Sequence, residues 1–387
     1  MSIIKITDVN LLNKRVLIRA DFNVPIKNNI ILSDFKIISA LPTIQEALQQ
    51  KALVMVTSHL GRPTEGIYDV NFSLKPIVKY LKNKLNIKIK LVKNYLNGVE
   101  ISKNELVILE NVRFNKGETT NNINLSKKYA SLCDVFVMDA FGSSHRLHSS
   151  TYGICNFVNI SCAGFLLLKE IYYLNKIINN AKKPIISIVG GSKISTKLVL
   201  LKTLVKISDI IIVGGGIANT FIASQGFDIG KSLYEPNLIQ EAKYLFKTKK
   251  IFLPTDVNVS NTFCKYSMSI QKNISEIKDN EKILDFGDLS IYKIDKILKK
   301  AKTIIWNGPI GVFEFINFRK GTEIIVKNIQ NNNIFSIIGG GDTILAAEMF
   351  GILNKISYVS TGGGAFLKYM KFKKLPIINF LKNLNNK

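Results

Sequence analysis

The sequence predicts an α/β protein built from two Rossmann-like, three-layer domains, each with a parallel sheet. Short apolar runs rich in β-branched residues, such as RVLIRADF and ALVMVTSH, alternate with helical segments such as TIQEALQQ. This alternation is typical of a parallel sheet covered by helices on both faces. The chain has 387 residues, whereas single cores stop growing at about 250 to 300 residues. Two domains are therefore expected.

The boundary between the domains is predicted in the apolar stretch GFLLLKEIYYLNKIINN, which has helical spacing. We assign residues 169–183 to an interdomain helix, 1–168 to a first domain and 184–370 to a second. An ordinary core helix of one domain is the alternative, and it would only move the boundary. The tail 371–387 is expected to form a short helix after Pro376. It could pack on either domain, and we assign it to the first.

The composition excludes several classes of protein. No apolar run approaches the ~20 residues of a membrane helix, and the start lacks a signal region, which predicts a cytoplasmic protein without a membrane partner. The four cysteines have no zinc-site spacing. The formal net charge is +25, which would ordinarily suggest nucleic-acid binding. The excess of positive charge comes from lysines, which are spread among Ile and Asn without an arginine cluster. We therefore interpret them as a solvated surface and not as a nucleic-acid-binding site.

Arginine and histidine are concentrated in the first 150 residues, and only Arg319 lies beyond them. Where lysine supplies the surface charge, retained arginines indicate sites that need a bidentate donor for phosphate or carboxylate. Four predicted strands of this half end in polar residues, and the carboxyl ends of parallel strands meet at one edge of a sheet. The first domain is thus predicted to bind a small anion. The candidate residues are Asp21, Asn23, His59, Arg62, Arg113 and Arg146, with His145 and His148 as further candidates.

Each of these residues has a structural alternative. Asp21 could be a turn residue, His59 a satisfied polar group and Arg113 a partner in a salt bridge. Their joint occurrence at successive strand ends is what favours a binding site.

In the second half, four apolar strands run directly into glycines. Glycine lets the backbone approach a ligand, and a following helix offers free N–H groups to phosphate. These turns predict a nucleotide cradle. They contain Gly190–Gly191, Gly214–Gly216, Gly339–Gly341 and Gly362–Gly364.

Three further motifs support this cradle. Lys193 and Lys197 are four residues apart, which predicts one face of a helix; together they could neutralise phosphates, or they could be a solvated lysine pair. The spacing is not that of a Walker A loop. Asp342 in GGGDT could cap a helix or bind Mg²⁺. Glu314 in WNGPIGVFE could bind ribose hydroxyls or lie on the surface.

The chain resembles the phosphoglycerate kinase family in collinear motifs that span almost its whole length. The motifs are RVLIRADFNVP (15–25), LPTI (41–44), TSHLGRP (57–63), LENVRFNKGE (109–118), DAFGSSHRLHSS (139–150), VGGSKISTKL (189–198), VGGGIANTF (213–221), WNGPIGVFE (306–314), GGGDT (339–343) and STGGGAFL (360–367). The resemblance implies reversible phosphoryl transfer between ATP and 3-phosphoglycerate, giving ADP and 1,3-bisphosphoglycerate. It also implies Mg²⁺, a monomer, and two domains that face each other across a cleft and close by hinge bending.

The resemblance also implies roles for the candidate residues. The anion-site residues, together with Lys36, would bind 3-phosphoglycerate, and Glu314 would bind the ribose. Asp342 would contact Mg²⁺. The catalytic set would be Lys36, Lys193, Lys197, Gly340 and Gly341, and the remaining nucleotide contacts would come from Gly214, Gly215, Asn307 and Thr343.

One position departs from the family pattern. The pattern has an arginine two residues after the Ser33–Asp34 pair, where this chain has Lys36. Lysine keeps the charge but loses the bidentate fork. Because one lost contact to developing charge costs about 10²- to 10³-fold in rate, we expect an active enzyme with a reduced rate.

Two other functions are weighed against this one. A dehydrogenase is disfavoured because no G-x-G-x-x-G with a later acidic residue follows a strand. A binding protein for RNA or other anionic partners, weakened as an enzyme by Lys36, would show salt-sensitive binding without turnover.

Overall fold

The computed structural model describes residues 3–331 and 333–384, and the chain divides into two compact units. The first unit contains the residues up to 173 and those from 372 onward, and the second contains residues 174–371. The strands are β1 (Arg15–Arg19), β2 (Ile26–Lys27), β3 (Ile30–Ile31), β4 (Leu53–Thr57), β5 (Lys88–Val92), β6 (Glu105–Leu109), β7 (Val135–Met138), β8 (Ile160–Ala163), β9 (Ile185–Val189), β10 (Ile210–Val213), β11 (Ile251–Phe252), β12 (Asp256–Ser260), β13 (Ile270–Asn273), β14 (Lys282–Phe286), β15 (Thr303–Asn307), β16 (Phe335–Gly339) and β17 (Tyr358–Ser360). The helices are α1 (Phe35–Gln49), α2 (Lys75–Lys84), α3 (Ile123–Ala130), α4 (Phe165–Asn180), α5 (Leu198–Ile207), α6 (Gly215–Ser224), α7 (Ile239–Phe246), α8 (Asp288–Lys299), α9 (Lys320–Asn331), α10 (Gly341–Met349), α11 (Gly363–Phe372) and α12 (Pro376–Asn383).

The first unit is built on a six-stranded sheet in the order β5-β6-β4-β1-β7-β8, and all its strands are parallel. The central strands are apolar and buried along almost their whole length, as expected for a sheet covered on both faces. Arg19 pairs in register with Thr57 on one side and with Met138 on the other. The polar residues that follow β1, β4 and β7 therefore lie at the same edge of the sheet.

The second unit repeats the scheme with a six-stranded parallel sheet in the order β11-β10-β9-β15-β16-β17. Val189 pairs with both Val213 and Asn307, and Gly339 pairs with Ser360. The glycine turns after β9, β10, β16 and β17 therefore emerge at one edge. This unit also contains a small antiparallel sheet, β13-β12-β14. The predicted fold class, with two parallel α/β sheets, is confirmed.

Helix α4 differs in its bounds from the helix predicted over 169–183, since it runs from Phe165 to Asn180. Its first turn is anchored to the first unit, because Thr43 Oγ1 accepts a hydrogen bond from Phe165 N at 2.9 Å and Asp139 Oδ1 accepts one from Leu167 N at 3.1 Å. These contacts satisfy N–H groups that a helix start leaves unpaired, and they explain the earlier start. The division between the two units falls inside this helix.

The C-terminal tail belongs to the first unit. Helix α12 begins at Pro376, as the sequence predicts. Its Phe380 packs edge-on against Tyr152, with ring centroids 5.6 Å apart. Among the described residues, no helix is long and apolar enough to span a membrane.

Candidate active site

The candidate anion site of the first unit is formed where β1, β4, β6 and β7, which are neighbours in the sheet, end. The chain turns sharply at these ends, and the turns are tied to one another. Ala20 N donates to Thr57 O at 3.0 Å, and Asp139 N donates to Arg19 O at 2.9 Å. Phe22 N donates to Ser58 Oγ at 2.8 Å. The residues that follow these strands are therefore held on fixed backbone.

Asp21 is the acidic member of the site, and its side chain is 2% exposed. Lys36 lies in the first turn of α1 and donates from Nζ to Asp21 Oδ2 at 3.2 Å. Burial raises the pKa of Asp21, but Lys36, His59 and Arg19 together hold it below its ordinary value. Asn23 orients the next turn by accepting a hydrogen bond from Gly61 N at 2.9 Å.

The cationic members of the site crowd one another. Arg113 is buried and donates from Nη1 to the carbonyl of Gly61. Burial, followed by the charges of Arg146 and Arg19, lowers the pKa of Arg113 to about 10. Burial also lowers the pKa of Arg146, and so does the charge of Arg62, which lies exposed in the turn after β4. These side chains therefore lie near enough to repel one another, and their role in binding an anion stays a prediction.

His59 is 4% exposed and belongs to the same cluster. Burial lowers its pKa well below the ordinary value; Asp21 opposes this shift, whereas Arg19, Arg113 and Arg146 reinforce it. The imidazole is therefore neutral at physiological pH. The other two histidines lie on the loop after β7, where burial and the nearby arginines lower the pKa of His148 to about 4.

Sequence reasoning missed three buried residues that support this site. Arg19 was not assigned to the site from the sequence, although its side chain is 1% exposed and donates from Nε to Ser150 Oγ at 3.0 Å. Ser150 in turn donates from Oγ to Glu118 Oε1 at 2.5 Å. A strand residue directly before the Ala-Asp turn was the available signal for Arg19. Nothing in the sequence links Glu118 to Ser150.

The second unit contains a cavity of about 650 Å³ at the edge where its glycine turns emerge. Gly191, Gly215 and Gly216 form one wall, and Glu314 and Asp342 line it as well. Gly214 does not line the cavity; it is the N-cap of α6. The apolar walls were not predicted from sequence, because only Phe313 lies in a quoted motif, WNGPIGVFE, and that motif was read for Glu314. They include Leu284, Phe263 and Phe313.

Lys197 lies at the N-cap of α5 and folds back over the strand ends. Its Nζ donates to Gly190 O at 2.6 Å and to Asn307 O at 2.8 Å. Burial lowers the pKa of Lys197 to about 8, and the charge of Asp342 partly opposes this shift. An ammonium has three N–H donors, and these two bonds leave the third for a ligand.

The prediction that Lys193 and Lys197 share one helical face is wrong. Helix α5 begins only at Leu198, and Lys193 lies exposed in the turns that precede it. Side-chain hydrogen bonds stabilise these turns, because Thr196 Oγ1 donates to Lys193 O at 2.8 Å and Ser195 N donates to Glu235 at 2.7 Å. Such local bonds compete with helix formation.

The residues of the GGGDT turn lie at the start of α10, where some of them are buried and others are exposed. Gly340 is the N-cap, with φ of 103°, which a residue with a side chain rarely adopts. Asp342 is therefore not the cap; it lies exposed in the first turn and lines the cavity. Thr343 is buried and accepts a hydrogen bond from Gly308 N at 2.7 Å, and Asn307 donates from Nδ2 to Gly339 O at 2.5 Å. Gly341, which follows Gly340, is exposed.

Within residues 3–331 and 333–384, no group of three or more His, Cys, Asp or Glu side chains is arranged to hold a metal ion by itself. Asp285, Glu314 and Asp342 line the cavity, and of these we consider Asp342, at the start of α10, for an ion such as Mg²⁺. Mg²⁺ usually takes one or two carboxylates and completes its shell with phosphate oxygens and water.

Known proteins match the chain over both units. The family model described as phosphoglycerate kinase matches residues 6–373. The phosphoglycerate kinase of Blochmanniella floridana is 59% identical over 385 residues, which cover 99% of this chain and 96% of that protein. The structure of phosphoglycerate kinase from Coxiella burnetii has a TM-score of 0.89 and 44% identity, and covers 99% of this chain and 100% of its own. The crystal structure of phosphoglycerate kinase from Pyrococcus horikoshii OT3 has a TM-score of 0.85 and 28% identity, with the same coverage of 99% and 100%.

Proposed function

The chain belongs to the phosphoglycerate kinase family, and from this premise we propose how its residues divide the work of the reaction. The enzyme transfers a phosphoryl group reversibly between ATP and 3-phosphoglycerate, giving ADP and 1,3-bisphosphoglycerate. We assign the acid to the anion site of the first unit and the nucleotide to the cavity of the second.

One observation carries the assignment of the acid. Burial, reinforced by neighbouring arginine charges, lowers the pKa values of Arg113, Arg146 and His59, so these side chains form a cluster of mutually repelling cations and a buried imidazole. A ligand with several negative charges relieves this repulsion. 3-Phosphoglycerate carries a carboxylate and a phosphate of about −1.5 to −2 charge. In this proposal Arg62, Arg113 and Arg146 bind these groups, and Asp21 and Asn23 accept from the hydroxyl or order the turn.

The cavity of the second unit suits a nucleotide in size and lining. Its glycine wall allows phosphates to approach backbone N–H groups at the starts of α6 and α10. The third N–H of Lys197 would donate to a phosphate oxygen, Glu314 would accept from ribose hydroxyls, and Lys193 would add charge from the turn before α5. Gly214 and Gly215, Asn307, and Gly340 to Thr343 would shape the phosphate and base sites.

We assign Mg²⁺ to Asp342. When bound, the ion would neutralise phosphate oxygens of the nucleotide. The residues of the protein would supply the remaining contributions to catalysis. No general base is needed, since the attacking carboxylate is already ionised near neutral pH. Lys36, Lys193, Lys197 and the backbone N–H groups of Gly340 and Gly341 would orient the groups and stabilise the charge that develops on the transferring phosphoryl.

We further propose that the enzyme acts as a monomer in the cytoplasm and that nucleic acid is not a partner. The distribution of the lysines supports the last point, because they are spread among Ile and Asn without an arginine cluster.

The test is a steady-state assay with ATP, Mg²⁺ and 3-phosphoglycerate, coupled to a dehydrogenase that consumes the acyl phosphate. Replacing Arg146 by Met should raise the KM for 3-phosphoglycerate about 10- to 100-fold, since a hydrogen bond to a charged group contributes about 1.5–3 kcal/mol. The KM for ATP should not change. Lys197→Met should raise the KM for ATP and leave the KM for 3-phosphoglycerate unchanged.

Arg319→Met is the matched control. Arg319 pairs with Glu323 at 2.7 Å in the second unit and touches neither site. An equal rise in the KM for 3-phosphoglycerate in this control, or no specific rise in Arg146→Met, would contradict the assignment of the acid.

A further inference from the structure

Arg19 contacts His59 in a way that determines which ring nitrogen carries the proton. Arg19 Nη2 lies 3.3 Å from His59 Nδ1, and both side chains are buried. A guanidinium has only donors. Nδ1 must therefore accept, and a neutral imidazole in this position carries its proton on Nε2.

The environment of the ring agrees with this tautomer. The charged groups around His59 are Asp21, Arg19, Arg113 and Arg146, and burial with the three arginines disfavours a second proton on the ring. Within the described residues, Nε2 makes no hydrogen bond to the protein. The N–H on this nitrogen is thus available to a ligand.

Arg19 is itself fixed by a series of hydrogen bonds to residues that are not among the candidate substrate contacts. Its Nη1 donates to Ala20 O at 2.5 Å, and its Nε donates to Ser150 Oγ at 3.0 Å. The Ser150 hydroxyl then donates to Glu118 Oε1 at 2.5 Å, and Ser150 N donates to Glu118 Oε2 at 3.1 Å. Glu118 is 0% exposed and Ser150 is 1% exposed.

The hydrogen bonds in this series all run in one direction, from Arg19 through Ser150 to Glu118. Since the Ser150 hydroxyl has one proton and gives it to Glu118, it can only accept from Arg19. Burial raises the pKa of Glu118 to about 7, although Ser150 and Arg19 oppose this shift. In its ionised form Glu118 attracts the Arg19 guanidinium and raises the pKa of Arg19 against the effect of burial. A buried guanidinium is thereby held in one orientation, with its Nη2 facing His59.

We propose that Glu118, Ser150 and Arg19 are positioning residues that hold His59 as the neutral, Nε2-protonated tautomer, so that its N–H donates to the phosphorylated acid. The part that concerns the acid rests on the proposed function above. The part that concerns the tautomer stands on the geometry alone.

The direct test is ¹⁵N NMR of the full-length enzyme with labelled histidine, because the chain has only three histidines. In the unmodified protein at neutral pH, His59 should show an unprotonated Nδ1 and a protonated Nε2. In Ser150→Ala, Arg19 loses its link to Glu118, and His59 should shift towards a mixture of tautomers. A wild-type His59 that is protonated on Nδ1, or on both nitrogens, overturns the proposal.

Ser149→Ala is the matched control. Ser149 is also buried and joins the same two loops, since its backbone N donates to Glu118 O at 3.0 Å. Its Oγ, however, donates to Gly117 O at 3.0 Å and to Asn122 O at 3.3 Å and not to the Glu118 carboxylate. Its removal should leave the His59 signals unchanged. The same tautomer shift in both variants would mean that loop packing, not the chain of bonds, positions His59, and the proposal would fall.

The kinetic readout is the KM for 3-phosphoglycerate. Ser150→Ala should raise it about 3- to 10-fold, with the KM for ATP unchanged, since a hydrogen bond contributes about 0.5–1.5 kcal/mol. Ser149→Ala should leave it unchanged. An unaltered KM in Ser150→Ala despite a changed tautomer overturns the role in binding. If the wild-type enzyme does not turn over 3-phosphoglycerate, the proposed function fails, whereas the NMR result still decides the tautomer.

Discussion

Replacing Lys36 tests the residue that we expect to depart from the family pattern. Lys36 Nζ lies 3.2 Å from Asp21 Oδ2, and the side chain remains 26% exposed, so the ammonium reaches the edge of the anion site. An ammonium at this place can stabilise charge on a transferring phosphoryl group, but only through single-point contacts. Both the loss of the charge and the restoration of a guanidinium therefore have defined consequences.

The expected magnitudes follow from the contacts. Lys36→Met removes the donor and should lower kcat by about 10²- to 10³-fold, which corresponds to about 2.7–4 kcal/mol of transition-state stabilisation. Lys36→Arg keeps a donor for Asp21 and adds a second N–H for the phosphoryl oxygens. One further hydrogen bond to a charged group contributes about 1.5 kcal/mol, so kcat should rise about 10-fold.

The coupled assay measures these changes in both directions of the reaction. The effect should appear in kcat and in kcat/KM alike, because the contact matters most when charge develops. Lys27→Met is the control, since Lys27 is exposed on the β2–β3 hairpin. This replacement also lowers the net charge by one. An unchanged kcat in Lys36→Met would refute the reasoning. So would a slower Lys36→Arg enzyme whose fold and substrate affinities are intact.

Two further predictions concern the second unit. Lys197 loses its proton as the pH rises through about 8, so kcat/KM for ATP should fall above that pH. Lys197→Arg should move this fall to higher pH. A wild-type profile that stays flat above pH 8 would contradict the role of this ammonium. Gly190→Ala should destabilise the protein by about 3 kcal/mol or more in urea unfolding, since its Cβ would lie 1.8 Å from Pro309 O. Gly341→Ala meets no atom within 4 Å and should leave the unfolding free energy nearly unchanged, so equal losses in the two variants would refute the steric argument.

The sequence predicted those parts of the fold that depend on local pattern. The four strands whose polar ends were used to assemble the anion site are neighbours in the first sheet, because apolar β-branched runs mark buried parallel strands. The edge strand β5 was not predicted. Its sequence KIKLV alternates lysine with apolar residues, and within a lysine-rich segment this pattern is typical of a solvated surface. The antiparallel sheet that contains β12 was missed for a similar reason, because its strands DVNVS and IQKN mix polar with apolar residues and do not form continuous apolar runs.

The site was predictable where a residue lies directly at a strand end. Asp21, His59 and Arg113 fall in this class. Glu118 and Ser150 do not, because they meet only through the pairing of two loops that are 32 positions apart in the sequence. The error at Lys193 has another origin: helical spacing was read from two residues, while the hydroxyl side chains between them favour turns.

The two candidate sites handle charge in opposite ways, and the difference follows from where each obtains its donors. The anion site uses side chains whose positive charges are forced together on strand ends, so it needs Asp21 and the buried Glu118 as counter-charges when no ligand is bound. The nucleotide cavity uses mainly backbone N–H groups of glycine turns and helix starts, which carry only partial charge and do not repel one another appreciably. Its half-buried lysine, Lys197, donates to two carbonyl oxygens, and the charge of Asp342 only partly compensates for burial. Glu118→Gln should therefore raise the KM for 3-phosphoglycerate and leave the KM for ATP unchanged in the coupled assay, and an equal rise in both would contradict this division.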